Sequence, residues 1–368
     1  MSINDLFLSI ISIYHLKAAV ISRLNIKFFS IMISIVLSLV SHGQDVHNSQ
    51  FYATPLTLNP ALTGAINSQC RATGIVRDQW RSNDVNPITT YNASYEYKFS
   101  KPGDYFGLGG VLIQDQWNPG TNTLTVDNFN AKAYNSRVYL SGAYHKLLGE
   151  HQLSFGVQPG ILYRYYSNDE AAYPEQYDRF LGDFDPNSAG GENALFSSPQ
   201  MIRFDLNAGL EWMADFHFFQ AHAGIASFHL LKPNQAIFSD YKHRLNRLWI
   251  MTAGTKHAIG ESWSIFPNII YMRQGKSEKF HFGGGIEKTL GEGNWKHINL
   301  SGYARTSGAL IGILGMGYKN FDFGFSYDAG LNLDLGPFAI DKAFEFSVVY
   351  KCNFDPELPS FYIPCNRY

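Results

Sequence analysis

Charged residues are scarce in this chain of 368 residues: they make up 16% of it, and the formal net charge is −2. A typical soluble domain has about a quarter of its residues charged. The near-neutral balance excludes the basic face that nucleic-acid binding requires, so we expect no nucleic-acid partner. Long apolar runs are also scarce. Beyond the N-terminal region, no stretch approaches the roughly 18 apolar residues that indicate a membrane-spanning helix.

Motifs for catalysis and for cofactor binding are missing too. The sequence has no nucleophile elbow and no phosphate-binding loop, and Gly283-Gly284-Gly285 lies within a strand pattern instead of before a helix. The 12 histidines are scattered, and His217, His222 and His229, on one predicted strand, share no consistent face. We therefore expect no enzyme activity, no catalytic residue, no metal and no cofactor.

Cysteine is rare, with Cys70, Cys352 and Cys365 as the three examples. Their spacing is unlike that of zinc ligands. The oxidising environment of an exported protein would allow one disulfide with one thiol left over. Three unpaired cysteines are the alternative, and the spacing does not decide between the two.

The N-terminus predicts export from the cytoplasm. Arg23 and Lys27 precede an apolar run that begins at Phe28, and the small residues Ser41 and Gly43 follow it. This order is typical of a secretory signal peptide, and the run is too short for a comfortable membrane anchor. We expect residues 1–43 to be a leader and signal peptide.

What the chain does have is alternation, together with 22 Tyr, 28 Phe and 33 Gly. From Ile202 to Trp212 every second residue is apolar, and the residues between them include Arg203, Asp205 and Glu211. Side chains of a strand alternate between its two faces, so this stretch has one apolar face and one strongly polar face. Its length suits a tilted strand that crosses a lipid bilayer.

Comparable stretches recur along most of the chain. We predict about fourteen strands, over residues 70–80, 88–99, 105–117, 133–147, 152–165, 202–212, 216–229, 247–258, 263–273, 279–290, 295–305, 309–318, 321–328 and 343–351. The links alternate in length: those after even-numbered strands are short, and all the long ones follow odd-numbered strands. Outer-membrane barrels have short periplasmic turns, long outer loops and an even number of strands. The pattern predicts an all-β transmembrane antiparallel barrel over residues 70–352, in the outer membrane, with lipid around it.

Aromatic residues support this interpretation, because all six tryptophans (Trp80, Trp117, Trp212, Trp249, Trp263 and Trp295) lie close to a predicted strand end. Rings at the two membrane interfaces are typical of such barrels. The polar faces carry both signs of charge, among them the predicted lumen residues Arg203, Asp205, Glu211, Asp322, Asp328 and Glu345. These side chains could pair across a filled lumen or line a permeation path, and both interpretations stay open.

Two segments frame the predicted barrel. Residues 44–69, here called the lead-in segment, are expected to form a plug or to lie in the periplasm, and residues 353–368 to form a periplasmic tail. In the long link of residues 166–201, Asp178, Asp183 and Asp185 could hold calcium, although the spacing matches no EF-hand loop. A solvated outer loop is the interpretation we favour.

Several short motifs, taken in order, resemble one known family. The lead-in segment contains Ser49-Gln50-Phe51-Tyr52 and, after Leu58, Asn59-Pro60-Ala61-Leu62-Thr63-Gly64, which is similar to an opening "sQy…NPAytG" pattern. Gly107, Gly109 and Gly110 resemble its "glGg" strand, and the stretches 243–254, 322–327 and 344–350 resemble later ones. Pro364-Cys365-Asn366-Arg367-Tyr368 departs from the "CPrF" ending. The family is PorP/SprF, outer-membrane proteins of the type IX secretion and gliding system of Bacteroidota.

This resemblance implies a non-enzymatic barrel that works with other type IX secretion components. It implies that Asn59, Pro60, Ala61 and Gly64 belong to a family motif, and that the partners include secreted surface cargo with a C-terminal sorting domain. The residues alone leave a second function open, a passive porin or small-solute transporter. A third, a lipid-modifying barrel, would need a Ser–His pair at one rim, and the sequence has no convincing one.

Overall fold

The computed structural model describes residues 45, 47–80, 87–100, 103–117, 132–167, 177–178, 183–184, 200–216, 218–236, 243–291, 293–306, 308–330 and 342–352. By its contacts the chain divides into Met1–Asp45 and Val46–Tyr368, and the description below concerns the second unit. The predicted signal peptide, Asp185 and the C-terminal tail with Cys365 lie outside the described residues.

The described residues form strands along almost the whole second unit. The strands are β1 (Cys70–Gln79), β2 (Ile88–Ser100), β3 (Tyr105–Trp117), β4 (Lys132–Leu148), β5 (His151–Ser167), β6 (Tyr177–Asp178), β7 (Asp183–Phe184), β8 (Gln200–Phe216), β9 (Phe219–Phe228), β10 (Leu248–Ile259), β11 (Trp263–Gln274), β12 (Ser277–Thr289), β13 (Trp295–Arg305), β14 (Ala309–Tyr318), β15 (Phe321–Gly330) and β16 (Ala343–Cys352). Fourteen of them close into one antiparallel barrel, in which β16 pairs with β1. The predicted fold class is confirmed.

Two details of the strand prediction are wrong. The predicted turn at Asp215 lies within β8, because the Asp215 N–H still donates to the Glu150 carbonyl at 2.9 Å, and β9 begins only at Phe219. The ring centroids of Phe216 and Phe219 lie 5.0 Å apart across the turn. Because aromatic residues flank the turn, the sequence shows no turn signal there. In addition, β6 and β7 form a small hairpin in the link between β5 and β8, where Asp178 pairs with Asp183.

The two faces of each barrel strand meet different surroundings. In β8, Ile202, Phe204 and Leu210 are exposed, whereas Asp205 and Asn207 are fully buried. The same inversion recurs in β15 and β16, where Phe325 and Phe346 are exposed and Ser326 is buried. Apolar side chains that face outward suit a hydrocarbon solvent, and polar side chains that face inward must find partners inside the cylinder.

The links sort by end of the barrel. One end, here called the short-turn end, carries the links after β2, β4, β8, β10, β12 and β14, together with both termini of the barrel sheet. The other, the long-loop end, carries the remaining links, of which those after β11 and β13 are short. Among the described residues, no helix has the length and apolar character needed to cross a membrane.

A disulfide joins the two strands that close the barrel. Cys70 and Cys352 are direct register partners in β1 and β16, and their sulfur atoms are bonded, across 282 positions of sequence. The link lies at the short-turn end of the seam, so the sheet is closed covalently as well as by hydrogen bonds.

Candidate functional site in the barrel interior

The lead-in segment runs through the interior of the barrel. It forms two 3₁₀ turns, Phe51–Ala53 and Pro60–Leu62, and the four-residue helix Pro55–Leu58 between them. Side chains of the wall hydrogen-bond to it from β2, β4, β8, β15 and β16. Because these strands stand on opposite sides of the cylinder, the segment crosses the lumen instead of lining one wall.

The motif from Asn59 to Gly64 has a conformation that its sequence explains. The Asn59 side chain accepts the Ala61 N–H at 3.0 Å, and Pro60 begins the 3₁₀ turn, where its missing N–H costs nothing. Gly64 has a φ of +76°, a backbone conformation that favours glycine. Asn59, Pro60 and Gly64 therefore each occupy a position whose hydrogen bonding or backbone conformation favours that type of residue.

Glycines of the wall make room for this motif. A Cβ on Gly107 of β3 would collide with the Thr63 carbonyl and the Gly64 backbone, and one on Gly156 of β5 would collide with the Pro60 carbonyl. A Cβ on Gly209 of β8 would meet the Asn59 side chain. The family motif in the lead-in segment and the glycine-rich strand β3 are thus two sides of one contact.

Three buried glutamates hold the segment by its amide groups. Glu96 of β2 accepts the Gly64 N–H at 2.6 Å, and Glu211 of β8 accepts the Asn59 side-chain amide at 2.8 Å. The carboxylate of Glu345 on β16 accepts the backbone N–H groups of Ser49 and Gln50, at 2.6 and 2.8 Å. These are charge-assisted hydrogen bonds, which are stronger than neutral ones.

Each carboxylate also has a cationic or imidazole partner in the wall. Glu96 binds Arg71, whose Nε lies 2.6 Å from Oε1, and Glu345 binds Arg77. Glu211 lies 3.2 Å from Nδ1 of His222. Buried charges are tolerated only when paired, so Glu96 with Arg71 and Glu345 with Arg77 are compensated pairs that also bind the lead-in segment.

A second cluster surrounds Ser49. Its hydroxyl donates to Asp328 at 2.6 Å and accepts from Arg77 and Arg305, at 3.1 and 3.0 Å. Both guanidinium groups also reach Asp328, at 3.3 and 3.2 Å. One small residue of the lead-in segment thus completes a network contributed by β1, β13 and β15.

Apolar contacts fill the space between the polar anchors. Phe51, Leu58 and Leu62 of the lead-in segment pack in one cluster with inward-facing wall residues, including Met213 and Ile270. Leu56 lies in a second cluster, which consists of Leu56, Val111, Tyr139, Leu162 and Leu245. The interior is therefore a mixed core that resembles a folded domain more than an aqueous pore.

The other predicted lumen residues have partners as well. Asp205 accepts from Tyr139 at 2.9 Å and lies 2.6 Å from Nδ1 of His229, and it is fully buried. Asp322, which is partly exposed, pairs with Lys351 at the short-turn end. Arg203 lies at the opposite end, where its Nε donates to the Asn234 carbonyl at 3.0 Å. The six residues are not one site: Asp328 and Glu345 share Arg77, and the others form separate pairs.

Sequence reasoning missed several residues that hold the lead-in segment. They are Arg71, Arg77, His145, Gln158 and Arg305 of the wall. Alternation in β1 could have identified Arg71 and Arg77, since both occupy inward positions of that strand. Ser49 and Gln50 belong to the family motif, but nothing in the sequence could have identified their partners, which come from strands far away along the chain.

One buried serine–histidine contact bears on the lipid-modifying alternative. Ser154 Oγ lies 2.7 Å from Nδ1 of His145, and Nε2 of the same ring lies 2.8 Å from the Thr63 carbonyl. Both side chains are buried under the lead-in segment and not at a rim. Both imidazole nitrogens are thus engaged within the protein.

Comparison with protein families decides the assignment. The family model described as "Type IX secretion system membrane protein PorP/SprF" matches residues 40–350. The chain belongs to the PorP/SprF family. A PorP/SprF protein is a membrane component of type IX secretion, and its closed barrel places this chain in the outer membrane. Family membership implies interaction with the secretion machinery, and neither family nor fold is that of an enzyme class.

Solved structures similar to this PorP/SprF protein are outer-membrane barrels. The toluene transporter TodX of Pseudomonas putida has a TM-score of 0.51 at 10% identity, over 84% of this chain and 95% of that one. A TodX mutant, titled a monoaromatic hydrocarbon channel, scores 0.51 at 11% identity over the same shares. The Ralstonia pickettii toluene transporter TbuX scores 0.49 at 12% identity, over 82% of this chain and 93% of that one. At these identities the likeness shows the fold alone. A search of curated proteins found no match.

Proposed function

We propose that this barrel is a non-conducting, non-enzymatic component of the type IX machinery that supports the export or surface anchoring of cargo with a C-terminal sorting domain. One observation carries the proposal: the lead-in segment occupies the lumen and is anchored there by buried charges. A passive pore gains nothing from such a filling, whereas a scaffold for other proteins needs a rigid wall and accessible ends.

The partners we propose are other secretion components, the cargo and the lipid that surrounds the wall. Long outer links offer a surface for cargo. The short-turn end and residues 353–368 offer contacts to periplasmic machinery. We also propose that residues 1–43 are removed on export and that the lead-in segment acts as a permanent plug.

Cargo display in cells tests this function. In a strain that lacks the gene, a reporter fused to a C-terminal sorting domain should remain in the periplasm, and the full-length protein should restore its appearance on the surface. Removal of residues 354–368 should leave the barrel inserted but reduce display. Normal display of cargo without the gene would rule the proposal out. Normal display without residues 354–368 would show that the tail is not needed for this function.

Conductance separates the proposal from the porin alternative. The purified full-length barrel should show no steady conductance in a planar bilayer. Deletion of residues 48–68 should open it, provided that the variant still shows the compact gel mobility of a folded barrel. Steady conductance of the full-length protein, with cargo display unaffected by loss of the gene, would favour a small-solute transporter. The toluene transported by the similar barrels is not carried over, because only the fold is shared.

The lipid-modifying alternative finds no support in the described residues. A hydrolase of that class needs an exposed hydroxyl nucleophile with a base beside it. Ser154 and His145 are near each other but lie beneath Thr63. Mutation of Ser154 to Ala is therefore expected to leave membrane lipid composition unchanged.

A further inference from the structure

The direction of each strand gives the height of its residues along the barrel axis. β2 (Ile88–Ser100), β12 (Ser277–Thr289) and β16 (Ala343–Cys352) begin at the long-loop end and finish at the short-turn end. β15 (Phe321–Gly330) runs the other way. Wall residues that contact the lead-in segment therefore show how high in the lumen each part of that segment lies.

The first described part of the lead-in segment lies near the long-loop end. The Ser49 N–H donates to Glu345, the third residue of β16, at 2.6 Å. The Ser49 hydroxyl donates to Asp328, which lies two residues before the end of β15, also at 2.6 Å. The ring of His47 lies 5.3 Å from that of His281, the fifth residue of β12. All three wall residues stand in the half of the barrel that carries the long loops.

Later parts of the segment lie progressively nearer the short-turn end. The Asn59 side-chain amide donates to Glu211, five residues before the end of β8, at 2.8 Å. The Gly64 N–H donates to Glu96, four residues before the end of β2, at 2.6 Å. Both strands finish at the short-turn end, so the chain is already below the middle of these strands at Asn59 and continues downward.

The segment is tied into the sheet where it reaches the short-turn end. Lys98, two residues before the end of β2, donates from Nζ to the Ile66 carbonyl at 3.1 Å. The Gln69 N–H donates to the Cys352 carbonyl at 3.0 Å, and the Gln69 carbonyl accepts the Lys98 N–H at 2.9 Å. Backbone hydrogen bonds to β2 and β16 therefore hold this end, which continues directly into β1, whereas side chains of the wall hold the opposite end.

We propose that the amino end of the mature protein lies at the cell surface. The long loops of outer-membrane barrels face outward, and the described lead-in segment starts near them and descends toward the periplasm. To start from the periplasm instead, the chain before His47 would have to climb through a lumen already occupied by the segment and the two apolar clusters. A partner on the cell surface can therefore reach the free end of the segment, whereas periplasmic partners meet the end that is fixed in the sheet.

This placement sets an order of assembly. A signal peptide is removed from an exported chain, and a leader still attached before His47 would have to be carried across the bilayer for Ser49 to reach Glu345. Removal of the leader therefore precedes the seating of the lead-in segment. The inference depends on the path of the chain and holds whether or not the barrel serves secretion.

Thiol labelling of whole cells tests the placement in the protein's own membrane. Each variant carries Cys365→Ser and one new cysteine, and the reagent is a maleimide too large to cross the outer membrane. Asp45→Cys should react on intact cells, as should Lys276→Cys in an exposed turn at the long-loop end. Glu150→Cys, in an exposed turn at the short-turn end, should react only after permeabilisation. Permeabilisation should leave the labelling of the first two unchanged and raise that of Glu150→Cys from background to their level.

A peptide epitope inserted after Asp45 provides a second readout, because its length carries it clear of the lumen. An antibody should bind this epitope on intact cells, and either signal from intact cells supports the placement. If both signals require permeabilisation, the proposal is overturned. It is also overturned if both fail in a protein that shows the compact gel mobility of a folded barrel.

A folded domain in place of the epitope tests the order of assembly. A disulfide-bonded domain cannot pass the bilayer with the segment, so added protease should cut residues 48–68 in envelope fractions, while the epitope variant stays protected. Release of the domain by a site-specific protease should restore protection, which a merely damaged barrel would not regain. Protection of residues 48–68 while the domain remains in the periplasm would overturn the proposal. Cargo display enters none of these measurements, so their failure is distinct from failure of the proposed function.

Discussion

The backbone N–H of Gly64 donates to Oε2 of Glu96 at 2.6 Å, while Arg71 holds the other oxygen of the same carboxylate. Glu96 and Arg71 are register partners on β2 and β1, the strands that follow the lead-in segment. One carboxylate therefore serves two purposes: it neutralises a buried guanidinium and it fixes the glycine that ends the family motif.

Replacement of Glu96 by Gln should destabilise the barrel by about 3–5 kcal/mol, because it leaves the buried Arg71 charge without its partner. Chemical unfolding of the purified protein measures the free energy. The double variant Arg71→Leu with Glu96→Leu should lose less than the sum of the two single changes, since no unpaired charge remains. Glu278→Gln is the matched control: its ion pair with Arg273 is about half exposed, so a change under about 1 kcal/mol is expected.

Addition of a methyl group at Gly107 should disturb the seating of the lead-in segment. The new Cβ in Gly107→Ala would collide with the Thr63 carbonyl, and overpacking of this kind costs about 1–3 kcal/mol. Limited proteolysis should then cut residues 48–68 faster, and the melting temperature should fall. Gly312→Ala, where a Cβ meets open space, should do neither. Equal behaviour of the two variants would mean that the glycine recess does not position the segment.

Acid should weaken the hold on the lead-in segment through His47. Burial holds the pKa of its imidazole well below the ordinary value of 6.5, and the charges of Arg305, Lys279, His281 and Arg77 add to the effect. The unfolded chain therefore binds a proton that the folded state excludes, and stability falls as the pH drops below about 6.5, by at most about 1.4 kcal/mol per pH unit for one group. Unfolding measured between neutral and mildly acidic pH should show this slope.

A matched pair of variants assigns that slope. His47→Asn should reduce it by the share of one proton, whereas His243→Asn, at an exposed position, should leave it unchanged. An unchanged slope in His47→Asn would mean that the buried carboxylates and histidines of the wall cause the pH dependence of stability.

Loss of the Cys70–Cys352 disulfide should lower the stability of the barrel without preventing its closure. β1 and β16 remain paired over ten register positions, but the unfolded chain is released from a large covalent loop, which contributes about 2–4 kcal/mol. Cys70→Ser should therefore lose its compact gel mobility at a lower temperature than the parent protein. Cys365→Ser is the control. If reductant does not lower the parent's transition, the bridge contributes nothing to stability.

Much of the wall was predictable from the sequence. Both ends of β3, β13 and β14 agree with prediction, since each strand alternates cleanly and is bounded by polar or glycine-containing links. The turn after β8 was misplaced because Phe216, Phe218 and Phe219 surround it, and an aromatic run does not resemble a turn. β4, β5 and β8 are longer than predicted, most of all β8, which gains Gln200–Met201 at one end and Met213–Phe216 at the other.

The interior was predictable only in part. Alternation identified Glu211, Asp328 and Glu345 as inward residues, but not their partners in the lead-in segment. Glu345 lies 295 positions from Gln50 along the chain, and no local pattern links the two. The same holds for Gly107 and Thr63, which belong to separate motifs of the sequence and come into contact only in the folded barrel.

The sequence by itself determined that hydrocarbon surrounds this protein and that its strands must form a closed barrel. Alternation between oily and polar residues permits only a closed cylinder, because hydrocarbon satisfies no backbone hydrogen bond. Tertiary structure alone decided what fills the cylinder and which side chains of the wall anchor that filling. Both depend on where distant segments meet, and that is set by the register of fourteen strands acting together instead of by the composition of any one of them.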